Sequence, residues 1–216
     1  MQGEALLPEN LILTSSALTP GNLDACDDPF ALFLQWFEAA RDREINDPEA
    51  MSLATVDAHG LPDVRMVLCK GVEPGALLFY TNWESAKGRQ LEAQPKAAAL
   101  FHWKSLRLQA RFRGGVTRFG GAEADDYFHS RARASQLGAW ASQQSRPLES
   151  RAALERRAAD FAERFSDREV PRPDHWGGFR LQATEVELWA DGQSRLHDRV
   201  RFTREGGGWA RQRLYP

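Results

Sequence analysis

The hydrophobic pattern changes period several times along the chain. Residues 1–27 show no sustained period, carry Pro8, Pro20 and Gly21, and read as a flexible N-terminal arm. A helix then begins. Asp28 is a suitable N-cap and Pro29 stands at the first helical position. Phe30, Phe33, Leu34 and Phe37 follow at helical spacing as one apolar face, bounded downstream by Pro48. The period then shortens to that of strands. "MSLATVDAHGLPDVRMVLCK" reads as two extended runs about a turn at 57–60, and "ALLFYTN" as a third strand after Pro74-Gly75. "SAKGRQLEAQP" is a short helix ended by Pro95, and "KAAALFHW" and "LRLQARFRGGVTRF" are two more strands. Residues 121–142 read as short helices, and Leu154, Ala158, Phe161 and Phe165 mark the stripe of a longer one. "GGFRLQATEVELWA", "SRLHDRVRFTRE" and "GWARQRLYP" close the chain as a meander, with turns at Asp191-Gly192 and 206–208.

Successive strands joined by short turns favour an antiparallel sheet, and many short antiparallel strands tend to close into a barrel. The expected fold is therefore mainly β with helices, in the α+β class. It comprises one domain over 28–216 preceded by the arm at 1–27. No GxGxxG or GxxxxGK[ST] follows any strand, so the common nucleotide loops are absent.

Composition narrows the chemistry. The chain has 216 residues, 42% hydrophobic and 27% charged, enough for a buried core with a charged exterior. The net charge of -2 lacks the basic excess of a nucleic-acid binder, so any anion site must be a local cluster. No apolar run is long enough for a membrane helix, and the N-terminus has no basic signal-peptide region. Cys26 and Cys69 form no CxxC pair, which argues against a disulfide framework or a zinc site and fits a reducing cytoplasm; no metal is expected. Cys69 reads as a small buried hydrophobe.

Basic residues gather in a few places: Arg65 with Lys70, Lys87 with Arg89, Arg107 with Arg111, Arg131 with Arg133, and Arg195 with His197 and Arg199. Lys87 falls in the first turn of a helix capped by Ser85, where a cation is mildly unfavourable unless an anion neutralises it. Tyr127, Arg131 and Ser135 recur at i, i+4, i+8 and would share one face of a continuous helix. All three can donate to phosphate oxygens, Arg131 with two prongs. Arg195, His197 and Arg199 alternate along a strand, with Asp198 on its other face. Three such groups on one face repel unless an anion or a carboxylate stands among them. With Trp189 nearby, the clusters suggest a site for two phosphorylated aromatic molecules, though each also suits a solvated surface.

"YFHSRARASQLGAW", "WGGFR", "RLHDR", "FYTN" and the final "RLYP" resemble the pyridoxine/pyridoxamine 5'-phosphate oxidase family, over about residues 28–216. The resemblance implies an antiparallel split β-barrel flanked by helices. It implies a homodimer with FMN at the subunit interface. The implied reaction is oxidation of pyridoxine or pyridoxamine 5'-phosphate to pyridoxal 5'-phosphate, with O2 reduced to H2O2. By the same resemblance, Arg65, Met66, Val67, Leu68, Cys69 and Lys70 lie along FMN. Tyr80, Thr81, Lys87, Gln109, Gln144, Ser145, Trp189 and Arg199 add further cofactor contacts, some from the partner subunit. Lys70, Tyr127, Arg131, Ser135, Arg195, Leu196 and His197 hold the phosphorylated pyridine substrate, with Arg195 and His197 as the catalytic pair over its ring. The chain departs from the pattern at Ala86, where the family usually has arginine, and at Ala132 and Ala134, usually Pro and Asp. It also lacks any Arg or Tyr within residues 1–29 to close over the substrate. Two other readings suit such a barrel: an FMN oxidase acting on another ring, as in phenazine biosynthesis, and a non-catalytic binder of FMN or pyridoxal phosphate.

Overall fold

The structure, a computed structural model, describes residue 23 and residues 25–216. The arm expected over 1–27 lies outside the described residues except for Leu23, which is fully buried, and residues 25–27. The chain divides into two compact units. One comprises Met1–Pro48, His102–Ala110 and Glu187–Pro216, and the other Glu49–Phe101 and Arg111–Val186.

In the first unit, helix α1 spans Pro29–Arg43, and the Asp28 carboxylate accepts the Phe30 N–H as its cap. Its buried stripe is Phe30, Leu32, Phe33, Trp36, Phe37 and Ala40. Leu34, expected on that face, is exposed instead. The buried stripe is centred on the i, i+3, i+4, i+7 series from Pro29 (Leu32, Phe33, Trp36), with Phe37 and Ala40 beside it and Phe30 at its edge, and Leu34 falls beyond that edge. Phe33 stacks on Trp103 at 5.8 Å between centroids, and the Trp103 indole N–H donates to the Pro48 carbonyl at 2.8 Å. Strands β8 (Asp198–Glu205) and β9 (Gly208–Arg213) form an antiparallel hairpin that ends the chain.

The second unit holds β1 (Ala50–Val56), β2 (Pro62–Leu68), β3 (Gly71–Glu73), β4 (Ala76–Asn82) and helix α2 (Ala86–Ala93). Helices α3 (Gly121–Ser130), α4 (Arg133–Ala141) and α5 (Arg151–Arg164) follow. Strands β5 (Lys96–Trp103), β6 (Leu108–Phe119) and β7 (Trp176–Ala190) run on from one unit into the other. The strand order is β2-β1-β5-β6-β7-β4-β3, and β2 also approaches β4, so this sheet curls back towards itself. β1 alternates half-buried and buried positions, as a strand with one face on a core should. Met51, Leu53, Leu77, Phe79, Phe101 and Phe112 are fully buried, and Phe79 stacks on Phe179 at 5.6 Å. "WGGFR" opens β7 with two glycines for a steric reason. A Cβ on Gly177 would come within 2.1 Å of the Trp83 ring, and one on Gly178 within 2.0 Å of the Phe119 ring.

Candidate active site

A cavity of about 680 Å³ opens in the second unit. It collects residues from six elements and the loops beside them. The β2 strand and its exit supply Met66, Val67, Leu68 and Lys70, and β4 supplies Tyr80, Thr81 and Asn82. Lys87 comes from α2, Tyr127 from α3, Arg131 and Ala132 from the α3–α4 junction, Ser135 from α4, Gln144 from the following loop and Trp176 from β7.

Lys87 is the telling residue. Ser85 caps α2 by accepting the Gly88 N–H at 3.2 Å, which fixes the first turn and aims Lys87 inward. Lys87 is only 8% exposed. Its ammonium donates to the Thr81 hydroxyl at 3.4 Å and the Gln144 side-chain oxygen at 3.2 Å, both neutral. No carboxylate is bonded to it among the described residues. Burial, and then the nearby Arg65 charge, push its pKa below the ordinary lysine value. An unneutralised ammonium at this depth is costly by itself and favourable beside an anion.

Arg131 repeats the pattern. Its Nη1 is buried without a hydrogen-bond partner, and its guanidinium lies 4.8 Å from the centre of the Trp176 ring. Burial lowers its pKa from the usual arginine value. Tyr127, Arg131 and Ser135 do line one cavity, but not from one helix. The chain leaves the helical region at Arg131 (ψ 151°) and re-enters it at Arg133. The buried amide of Gln136 causes and holds this break, donating to the carbonyls of Phe128, His129 and Arg131. α4 then starts at Arg133, and Ala132 at its N-cap position makes no side-chain cap bond, so its positive end is left to the cavity. Arg133 turns away and donates to the carbonyls of Phe165 and Arg168 at the end of α5.

Aromatic rings back the cavity. Tyr80 and Tyr127 stack at 3.9 Å with Trp176 nearly parallel to both. Burial, chiefly, pushes the Tyr80 phenol up to about 12 and raises that of Tyr127, so both stay protonated donors. Lys70 pairs with Glu49 at 2.8 Å. Arg65 is held by Asp63 at 2.5 Å, the Thr55 hydroxyl at 2.6 Å and Gln90 at 3.1 Å, and does not line the cavity as it stands. Cys69 is buried, its thiol donating to the Gly71 carbonyl and pushed up to about 11 by burial. Ser145 sits outside the lining with a left-handed φ of 70°. Arg89, beside the Ala86 gap, donates to the Glu84 carbonyl and not into the cavity.

Gln109, Trp189, Arg195, Leu196, His197 and Arg199 belong to the first unit. The expected alternation of Arg195, His197 and Arg199 on a strand is corrected there. β8 begins only at Asp198, and residues 193–195 form a single 3-10 turn with Ser194 (φ 54°) and Arg195 (φ 64°) both left-handed. Two adjacent non-glycine residues in that region cost about 1–2 kcal/mol each, a strain that clusters at functional loops. The carboxylates that like charges demand are present. His197 faces Asp191, and Arg199 makes two bonds to the buried Glu187, at 2.9 and 2.6 Å. Asp198, expected to point away, pairs with Arg213.

Sequence reasoning missed Asn82, Ala132, Gly138, Ala139, Ser142 and Trp176 of the lining, and Gln136 behind it. All but Ser142 lie inside the quoted motifs, but Trp176, as the one large aromatic, is alone among them in carrying a signal of its own. The rest are neutral side chains that proximity alone selects.

Residues 37–165 match the pyridoxamine 5'-phosphate oxidase family model. Over 218 residues the chain is 55% identical to the pyridoxine/pyridoxamine 5'-phosphate oxidase of Azorhizobium caulinodans, covering all of both chains. It is 53% identical to that of Rhizobium etli over 206 residues, 94% of this chain and 100% of the relative. The chain belongs to the pyridoxamine 5'-phosphate oxidase family. Residues 176–216 match the family's C-terminal dimerisation region. Among solved structures the chain resembles PhzG of Burkholderia lata, in complex with tetrahydrophenazine-1-carboxylic acid. That match has a TM-score of 0.85 and 29% identity, over 92% of this chain and 97% of that one. An FMN-binding, pyridoxamine 5'-phosphate oxidase-related protein of Nostoc punctiforme matches with TM-score 0.69 at 18% identity, over 87% and 98%. The fold is the antiparallel split barrel with flanking helices that the motifs implied.

Proposed function

We propose that this chain is an FMN-dependent oxidase that converts pyridoxine or pyridoxamine 5'-phosphate to pyridoxal 5'-phosphate, reducing O2 to H2O2. The observation that carries the reading is a pair of cations with no carboxylate bonded to them among the described residues, the buried Lys87 at the α2 end of one cavity and the half-buried Arg131, with its Nη1 buried, at the α4 end. A cofactor phosphate answers the first and a substrate phosphate the second. Full-length relatives above 50% identity bear the same activity in their names.

In this reading Lys87, Thr81, Gln144, Ser145 and Arg65 hold FMN, with the Met66–Lys70 backbone along its ring and Tyr80 beside it. Tyr127, Arg131 and Ser135 grip the substrate phosphate, and Lys70 reaches both molecules. When bound, FMN would supply the redox chemistry, coupling the two-electron oxidation of the substrate to reduction of O2. The chain's own part is to orient the substrate, exclude water and move protons.

The partner is a second copy of this chain, with FMN at the subunit interface. Val64 and Met66, on one face of β2, are 64% and 60% exposed, and Leu68 beside them is exposed too. An apolar strand face of this kind that runs into the cavity suits burial against another subunit. Gln109, Trp189, Arg195, Leu196, His197 and Arg199 then complete the site across that interface, Arg195 and His197 over the substrate ring. We place the reaction in the cytoplasm, supported by two free cysteines.

The test is turnover. Purified chain with FMN and either phosphate should give pyridoxal phosphate absorbance and stoichiometric peroxide. Protein that binds FMN and oxidises neither ester would return the reading to an oxidase of another ring, the alternative that the PhzG likeness supports.

A further inference from the structure

The loop between β7 and β8 folds back on itself. A Cβ on Gly192 would lie 2.0 Å from the Leu196 carbonyl oxygen, so only glycine fits there. This closure lays the His197 imidazole against Trp189, at 4.6 Å between ring centroids. It also sets Nδ1 of His197 between two groups with opposite demands. The Asp191 Oδ1 stands 3.1 Å away and the Gly192 amide nitrogen 3.2 Å away.

An imidazole nitrogen has one in-plane position, filled by a proton or by a lone pair. With a lone pair on Nδ1, the Gly192 N–H is satisfied and the carboxylate faces electron density. With a proton on Nδ1, the carboxylate accepts it and the Gly192 bond is given up. The carboxylate bond is charge-assisted and roughly twice as strong as the neutral one. Asp191 is itself anchored, since Arg107 pairs with its Oδ2 and its own N–H donates to the Arg107 carbonyl at 3.1 Å. Oδ1 is thus left for the imidazole.

We propose that Asp191 is the positioning residue of His197. It holds the ring as the Nδ1–H tautomer, so that Nε2 carries the lone pair and accepts the proton given up by the substrate's hydroxymethyl or aminomethyl group. This rests on the functional reading above. In the step a substrate O–H or N–H bond breaks, an Nε2–H bond forms, and the imidazolium stands against the Asp191 carboxylate. The "RLHDR" motif begins four residues too late to contain Asp191, whose place in the sequence is that of a turn residue.

The test uses the full chain loaded with FMN and labelled with 15N-histidine. Two-bond proton–nitrogen spectra report each tautomer, and His197→Gln assigns the signal by its loss. The parent should show Nδ1–H, and Asp191→Asn should switch the ring to Nε2–H, because amide donors then face Nδ1. Turnover should fall tenfold or more with KM and FMN affinity within about twofold, and Asp191→Glu should restore part of it. A parent ring in the Nε2–H form, or an unchanged tautomer in Asp191→Asn, overturns the assignment. If Asp191→Asn does not fold, the parent's tautomer decides alone. A parent that holds Nδ1–H and oxidises neither phosphate overturns the functional reading and the proton-accepting role together.

Discussion

Replacing Lys87 by methionine should move two quantities in opposite directions. Methionine keeps the length and apolar stem of lysine and removes the charge. In the apo-protein the ammonium makes two contacts to neutral oxygens, one of them at 3.4 Å, and is desolvated at 8% exposure. Losing two weak bonds costs about 1 kcal/mol in total, and removing an uncompensated buried charge recovers at least that much. The apo-protein should therefore be as stable as the parent or more stable by about 1 kcal/mol, a rise of roughly 2–4 °C in Tm for a chain of this size. FMN binding should weaken, because a charge-assisted bond to phosphate is worth about 1.5–3 kcal/mol, or roughly 10- to 150-fold in Kd. Thermal melts of apo-protein and fluorescence titration with FMN measure the two. A variant that melts well below the parent and binds FMN as tightly would refute the reasoning, since Lys87 would then be a structural cation and not an anion receptor.

Arg131→Ala should leave FMN bound and raise the substrate KM, with about 1.5–3 kcal/mol lost from kcat/KM; loss of FMN instead would mean the wrong phosphate has been assigned to that clamp. Ala86→Arg adds a guanidinium at the first turn of α2, where Arg89 is engaged with the Glu84 carbonyl, and should tighten FMN on the order of tenfold after the small cost of a cation at a helix start. FMN affinity should also depend on pH. Burial holds Lys87 below the ordinary lysine value and a bound phosphate raises it. Affinity is therefore full below the apo value and falls as pH rises through it. Riboflavin, without a phosphate, should show no such fall in parallel titrations from about pH 7 to 10.

Local chemistry accounts for what is legible in the sequence. Alternation and turn residues place the strands of the second unit. Asp28-Pro29 and Ser85 start two helices as caps should, and the cap at Ser85 is what brings Lys87 inward. Long motifs name Tyr127, Arg131 and Ser135 together, and they do meet. Periodicity misleads where it is extended past a contact that breaks it. An i, i+4, i+8 series suggests one helix, yet the Gln136 amide gathers three carbonyls and splits it. An alternation of Arg195, His197 and Arg199 suggests a strand face, yet the closure at Gly192 turns the first two out of the strand.

By itself the sequence determined the order of elements, the residue types that fill the core and the family's motif residues, because these depend on spacing and side-chain chemistry within a few positions. Tertiary structure decided which cations lack anions, which arginine of the 131/133 pair enters the cavity, and which nitrogen of His197 meets a carboxylate. Each of those depends on desolvation and on partners far away in the chain. Lys87 meets Gln144 across 57 positions, and Arg133 is occupied by the Phe165 carbonyl 32 positions on. A charge in sequence is only a residue type; its free energy is set by the burial and the oxygens that folding puts around it.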